Sequence, residues 1–118
     1  MGVFQHQINV LDQSGQVVQT ILAWVDSGSA YTWLPAAVRD ILGLGPTEER
    51  DFKLANGAVE RRPVIQVRIS LGGSAFSTYC AFAEDGDECL LGAIALEEAG
   101  LAVDPVNHRL VPAFSYRL

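Results

Sequence analysis

Ile21-Leu22-Ala23-Trp24-Val25-Asp26-Ser27-Gly28-Ser29 is the stretch that decides the fold of this 118-residue chain. Val17–Val25 is rich in β-branched and apolar side chains, which indicates a β-strand, and its last five residues, Ile21–Val25, are expected to be buried. The small residues that follow favour a tight turn. A carboxylate at the end of a buried strand is costly unless the protein satisfies or uses it. Asp26 is therefore the first candidate functional residue.

Asp26 also has a simpler interpretation. Asp-Ser-Gly occurs in many loops in which the Asp side chain only bonds its own backbone, and the triplet alone favours that interpretation. Ser27 can, however, hydrogen-bond nearby backbone, and Gly28 lets the main chain approach closely. The segment can therefore also hold a carboxylate on the floor of a cleft. Other motifs in the sequence are needed to distinguish the two interpretations.

The segments on either side of this stretch predict a hairpin and a short helix. Val3–Val10 alternates loosely and is joined to Val17 by the turn-forming cluster Leu11–Gly15, so the two segments should pair. After the loop, Pro35 at the first helical position and Gly43 just past the last one predict a short helix.

The remainder of the chain returns mainly to strand patterns. Residues 51–71 alternate around Asn56-Gly57, the strongest short hairpin signal, because both residues tolerate the positive φ angles of a type I′ turn. The other predicted elements are a turn at Gly72-Gly73, a strand over Ala75–Ala83, a second short helix over Ala93–Ala99 and two strands between Leu101 and Val111. The chain is predicted to be mainly β with two short helices.

Composition and charge limit the possible partners. The chain is 49% hydrophobic and 19% charged, and its length suits one domain spanning residues 1–118. A net charge of −6 argues against a protein that neutralises phosphates or lies on an anionic membrane. No apolar stretch approaches the roughly 18 to 20 residues of a membrane span, and no secretory signal is visible. We expect a soluble, cytoplasmic protein with neither nucleic-acid nor membrane partners.

The metal-binding and nucleophilic residue types are few and scattered. Cys80 and Cys89 have no metal-ligand spacing and are expected to be buried, reduced thiols. The two histidines are isolated from each other and from other ligand types. The acidic loop over residues 84–88 lacks the spaced ligands of a calcium loop. We expect no metal and no other cofactor.

The order of these motifs resembles the retropepsin-like aspartic proteases. Asp26-Ser27-Gly28-Ser29 after an apolar strand, an Asn-Gly hairpin some thirty residues later, and Leu90-Leu91-Gly92 before a helix occur in the family's order. The end of the chain, over residues 100–112, is similar to that of the bacterial single-domain branch. The resemblance implies a single-lobe closed β-barrel that functions as a homodimer.

The resemblance also implies roles for individual residues. Asp26 would be catalytic, Ser27 would anchor hydrogen bonds between the active-site loops of two subunits, Gly28 would lie beside the shared pair of aspartates, and Ser29 would support the loop. The residues implied as structural support beneath the loop are Leu90, Leu91 and Gly92. Those implied as a flap over a bound peptide are Leu54, Ala55, Asn56, Gly57, Ala58 and Val59. Tyr31 and Trp33 could line a pocket near the loop or pack the segment after it.

The chemistry of such a site requires two carboxylates. Two of them within hydrogen-bond distance share one proton, so that one activates water as a base while the other donates to the scissile carbonyl oxygen. The chain has only one Asp-Ser/Thr-Gly, so a second copy must supply the other. Its terminal segments, Met1–Gln7 and Ala113–Leu118, do not match the interdigitating strands that join viral dimers.

The function implied is an aspartic endopeptidase that hydrolyses peptide bonds as a homodimer. Two alternatives stay open at this point. One is a catalytically weak or inactive dimeric module that binds peptides with the same fold. The other is a processing domain that acts mainly on itself or on a fusion partner.

Overall fold

A computed structural model describes residues 4–45, 47–84 and 86–113. In chain order, the elements are β1 (Gln5–Leu11), β2 (Val17–Val25), β3 (Thr32–Pro35), α1 (Ala37–Leu42), β4 (Glu48–Lys53), β5 (Val59–Leu71), β6 (Ser74–Ala83), β7 (Leu90–Leu91), α2 (Ala93–Glu98), β8 (Leu101–Asp104) and β9 (Arg109–Pro112). The prediction of a mainly β chain with two short helices is confirmed. No helix in the described ranges is long and apolar enough to cross a membrane.

Seven strands pair in the order β1-β2-β7-β3-β6-β5-β4. β1 also pairs with β5 through Asn9 opposite Ser70 and Val10 opposite Ile69, so six of the strands close into a ring. β4 continues the sheet outward from β5. The short strand β7 is parallel to β2 and antiparallel to β3, which places it between the two strands that flank Asp26. β8 and β9 form a separate two-stranded sheet.

The apolar core lies inside this ring. Strand side chains alternate between the two faces, and in β2 Ile21, Ala23 and Val25 are buried while Leu22 is 62% exposed. The largest side chains that are fully buried in the described part of the chain come from both halves of the sequence: Ile8, Leu34, Ile69, Leu71 and Leu91. Both halves therefore contribute to one core.

The first helix begins later than the sequence predicts. Pro35 is the last residue of β3, in register with Ala83 of β6, and α1 begins at Ala37. The placement of Pro35 at the first helical position is therefore wrong. Proline is tolerated at the end of a strand as well, because few ladder hydrogen bonds remain to be donated there. Gly43 ends α1 with a φ of 59°, as predicted.

The turn at Asn56-Gly57 is of a different type from the one predicted. The Gly57 N–H donates to the Leu54 carbonyl oxygen and the Leu54 N–H to the Ala58 carbonyl oxygen, which defines a three-residue loop. Gly57 has a φ of 85° and Asn56 has no positive φ, so the type I′ prediction is wrong. A three-residue loop needs only one positive φ, and Asn56 instead accepts a hydrogen bond from the Ala58 N–H.

The two-residue hairpin with two positive φ angles lies at Gly72-Gly73 instead. These residues have φ angles of 52° and 94° and join Leu71 directly to Ser74. Residues other than glycine rarely adopt these angles. The Gly-Gly pair therefore allows residues 64–71 of β5 to pair with residues 74–81 of β6 directly from the turn onward.

Candidate active site

Asp26 lies at the junction between the end of β2 and a tight turn. Val25 is buried, whereas Asp26 is half-buried and Ser27 is exposed. The Asp26 carbonyl oxygen accepts a hydrogen bond from the Ser29 N–H at 3.1 Å, which closes the turn. Its carboxylate Oδ1 atom accepts another from the Gly28 N–H at 3.0 Å. The loop backbone therefore holds the carboxylate at the solvent-accessible end of a buried strand.

β7 supports this loop because it pairs with the strands on both sides of it. Val25 is in register with Leu91, and Leu90 lies opposite Trp33. The Asp26 N–H donates to the Leu91 carbonyl oxygen at 3.0 Å. Since Leu91 is fully buried, the peptide unit of Asp26 is tied directly to the apolar core.

Gly92 lies so close to the loop backbone that no side chain fits. A Cβ atom at this position would be 2.3 Å from the Tyr31 carbonyl oxygen and 2.8 Å from the Ser29 carbonyl oxygen. The φ of Gly92 is −92°, which any residue can adopt, so space alone demands glycine. The Gly92 N–H donates to the Oγ1 atom of Thr32 at 3.0 Å, and Thr32 is 1% exposed.

The N-terminus of α2 also binds the loop. The Ala93 N–H donates to the Ser29 carbonyl oxygen at 2.7 Å, and the Ile94 N–H donates to the Ala30 carbonyl oxygen at 3.1 Å. The first N–H groups of a helix have no acceptor within the helix, and α2 has no side-chain cap. The loop carbonyls take that role. The Ser29 hydroxyl donates to the Tyr31 carbonyl oxygen at 2.8 Å and braces the turn from within.

Ser27 and Gly28 are the exposed residues beside the carboxylate. A Cβ atom at Gly28 would lie 3.2 Å from the Asp26 Oδ1 atom, so a side chain there would press on the carboxylate. The hydrogen bonds that we expect Ser27 to make with a second copy stay a prediction.

The predicted flap is an exposed hairpin between β4 and β5, closed by the hydrogen bonds of its own backbone. All six predicted flap residues are exposed: Leu54, Ala55, Asn56, Gly57, Ala58 and Val59. The apolar side chains of Leu54 and Val59 are 38% and 63% exposed.

Four aromatic side chains join the arm of this hairpin to the strand that leaves the loop. Phe52 in β4 meets Trp33 edge-on with ring centroids 5.1 Å apart, and meets Tyr31 at 5.5 Å. Tyr79 contacts Tyr31 at 6.4 Å, and the Arg50 guanidinium lies 5.8 Å from the centre of the Tyr79 ring. Tyr31 and Trp33 therefore pack against the flap arm.

Thr32 is a site residue that sequence patterns do not single out. A lone threonine in an apolar segment is ordinary for a β-strand. The available signal is that a buried hydroxyl needs a hydrogen-bond partner. Its partner, Gly92, is sixty residues away, so nothing local in the sequence identifies the pair.

The cysteines do not provide a nucleophile. Cys80 is buried, as expected, but Cys89 is only half-buried because it packs against the core from its edge. Burial raises the pKa of both thiols, which keeps them protonated at neutral pH. Within the described ranges, no three His, Cys, Asp or Glu side chains are grouped to hold a metal ion.

We predict that Gly92→Ala lowers the free energy of unfolding by about 2 kcal/mol or more, because the added methyl group overlaps two loop carbonyl oxygens. Chemical denaturation measures this change. Gly45→Ala is the matched control, since a Cβ at Gly45 meets nothing within 4 Å and the residue has no positive φ. Equal stability of the two variants would contradict the steric argument.

We predict that Thr32→Val costs about 1–3 kcal/mol of stability, because the buried Gly92 N–H loses its acceptor while the side-chain shape is kept. Thr32→Ser keeps the hydroxyl and should cost less, despite the lost methyl group. Urea denaturation of the three proteins compares them. If the valine variant unfolds at the wild-type midpoint, the hydroxyl does not hold the loop.

These contacts bring Asp26, Ser29, Leu91 and Gly92 together in one hydrogen-bonded unit. A family model described as "Aspartyl protease" matches residues 9–94, a range that contains this unit and the flap hairpin. Compared with individual curated proteins, the chain has no match. The family model covers well over half of the sequence. The chain therefore belongs to the retropepsin-like aspartyl protease family.

Proposed function

We propose that the protein is an aspartic endopeptidase that hydrolyses peptide bonds as a homodimer, with one Asp26 carboxylate from each copy. The observation that carries this proposal is the placement of Asp26 directly after a buried strand. Its carboxylate accepts the Gly28 N–H, and its own N–H donates to the carbonyl oxygen of the buried Leu91. Membership of an aspartyl protease family supports the same chemistry.

The proposed reaction uses water as the nucleophile. With two Asp26 carboxylates on a two-fold axis, the pair holds one proton between them because both cannot ionise at close range. The ionised carboxylate removes a proton from water as it attacks the scissile carbonyl carbon, and the protonated one donates to the carbonyl oxygen. The carboxyl group that took the proton from water then gives it to the amide nitrogen, while the other carboxylate takes a proton from a hydroxyl of the tetrahedral intermediate. The C–N bond breaks, an amine and a carboxylic acid are released, and the pair again holds one proton.

The proposed dimer follows from the number of Asp-Ser/Thr-Gly motifs in the chain. The sequence contains a single Asp-Ser/Thr-Gly, so a two-carboxylate site needs two chains. Ser27 and Gly28 are exposed beside Asp26, which leaves this side of the loop open to a second copy. We take the ring of six strands as the closed barrel of the family, with one such ring in each subunit.

The proposed substrate is an extended peptide. It would lie between the loop and the flap hairpin and add its backbone to the edge of the flap as an extra strand. Leu54 and Val59 expose apolar surface on that hairpin, which favours substrates with apolar side chains near the scissile bond. The proposal includes a cytoplasmic location, in which the free thiols Cys80 and Cys89 stay reduced.

We expect Asp26→Asn to lower hydrolysis by at least about 10²- to 10⁴-fold, the usual contribution of a general acid–base group. The amide oxygen can still accept the Gly28 N–H, so the fold should be kept. The measurement is cleavage of a mixed peptide library between about pH 4 and 7, with the oligomeric state recorded in parallel. Asp40→Asn changes an exposed aspartate on α1 and is the matched control. Full activity of the Asp26 variant would rule out the proposal.

Mixed dimers test whether the two aspartates act together. When wild-type and Asp26→Asn chains are refolded in a 1:1 mixture, about a quarter of the dimers carry two aspartates. Activity should then fall to about a quarter of that of the same total amount of wild type. A fall to only about a half would mean that each wild-type chain is active by itself, whichever chain it is paired with. No cleavage at any pH by a folded wild-type dimer would instead support a peptide-binding module.

A further inference from the structure

We infer that a gap in the sheet beside β5 is a second peptide-binding site, in which the free C-terminal end of another protein chain adds as a short strand. The gap is the stretch of the outer edge of β5 over residues 65–68. The inference concerns binding alone and does not depend on the proposed function, because no described residue that lines the gap belongs to the catalytic loop or to the flap hairpin.

The outer edge of β5 has partners at both ends but none in its middle. On the side away from β6, residues 59–64 pair with β4, and Ile69 and Ser70 pair with β1. Among the described strands, residues 65–68 have no partner on this side. Because alternate residues of a strand direct their backbone groups to the same side, two of these four residues present N–H and C=O groups to the gap. Such an edge can pair with an added extended backbone.

A cavity of about 780 Å³ lies against this edge. It is lined by all four residues of 65–68, together with residues 11–14, residues 42–45 and Ser77. Successive side chains of a strand point to opposite faces. A cavity that meets four consecutive residues therefore meets the strand along its edge, where a further strand would pair.

The lining of the cavity leaves room for a strand and offers it apolar contacts. A Cβ atom built at Gly43 or Gly45 would meet no atom within 4 Å. Leu42, Leu44 and Ile65 are partly buried apolar residues of the lining that pack against the core. An added strand presents alternate side chains to one face. Apolar side chains at alternate positions are therefore favoured.

The shortness of the gap favours a chain end over an internal segment. Four residues of an extended strand span roughly 13 Å, at about 3.3 Å each. β4 occupies the edge as far as Val64, and β1 occupies it from Ile69 onward. A longer added strand would collide with one of these two strands. An internal segment would have to turn away at both ends of the gap, whereas a chain end turns away at one.

Arg68 determines which chain end fits. It lines the cavity, is exposed and forms no ion pair with a described residue. Asp12, the acidic residue of the lining, instead uses its Oδ1 atom within its own turn, where it accepts the N–H groups of Ser14 and Gln16. A terminal carboxylate beside Arg68 gains charge-assisted hydrogen bonds, whereas a terminal ammonium group is repelled. With its carboxylate at Arg68, the added strand runs parallel to β5.

The test measures binding of the peptide fluorescein-Gly-Ser-Thr-Val-Thr-Val to the full-length protein by fluorescence anisotropy. The control peptide has the same sequence with a terminal amide in place of the carboxylate. Arg68→Glu is compared with Lys53→Glu, which makes the same change of charge. Lys53 is also exposed and in no ion pair with a described residue, but it lies at the far end of β4 and outside the cavity. Circular dichroism checks that both variants are folded.

We expect the dissociation constant to rise at least about tenfold for the amide peptide and for Arg68→Glu, because each change removes the pairing of opposite charges. Lys53→Glu should bind as the wild type does. NMR spectra of the backbone amides locate the peptide: the signals of residues 65–68 and 42–45 should shift on its addition. N-methylation of alternate peptide residues should weaken binding in one of its two patterns, because only one set of N–H groups faces β5.

Several outcomes would overturn the site. These are absence of binding, equal binding of the carboxylate and amide peptides, equal effects of the two charge reversals, and binding that neither N-methylation pattern weakens. Shifts confined to residues 26–29 and 54–59 would place the peptide in the proposed substrate cleft instead. If the signals of residues 65–68 shift with protein concentration and not with peptide, a second copy occupies the gap and the inference is wrong.

Discussion

The buried hydrogen bond from the Gly92 N–H to the Thr32 hydroxyl joins two segments that are sixty residues apart, and the geometry of the site depends on it. For this bond to form, β7 must lie between β2 and β3, and the residue after it must have no side chain. The close approach then lets the N–H groups that begin α2 reach the carbonyl oxygens of the loop. Sheet order, the glycine and the helix position are thus parts of one arrangement.

The two sides of the proposed substrate cleft are held by different forces. The floor around Asp26 is fixed by backbone hydrogen bonds and by a steric limit at Gly92, neither of which yields to small movements. The flap arm β4 pairs only with β5 among the described strands, and aromatic contacts through Phe52 hold it to β3. Each aromatic contact contributes about 0.5–1.5 kcal/mol. These contacts can shift while the six strands stay closed. A rigid floor below an adjustable flap suits a site that admits and releases a peptide.

The single Asp-Ser/Thr-Gly of the chain is the reason that the proposed chemistry calls for a second copy. One carboxylate can accept a proton or donate one, but the reaction needs both functions at the same carbonyl group. Ser27 and Gly28 are exposed beside Asp26, on the side of the loop where the proposed second copy would approach.

The sequence alone determined the features that depend on near neighbours. Side-chain period and local backbone preference account for four features: strand alternation, the turn after β2, the glycine that ends α1 and the exposure of the Asn56-Gly57 hairpin. Tertiary structure decided the rest. Whether Asn56 takes a positive φ depends on the loop length that β4 and β5 leave, and Pro35 stays extended because β6 pairs with it. The roles of Thr32 and Gly92 exist only once the chain has closed on itself, because a close contact between distant segments leaves no periodic or local signal in either one.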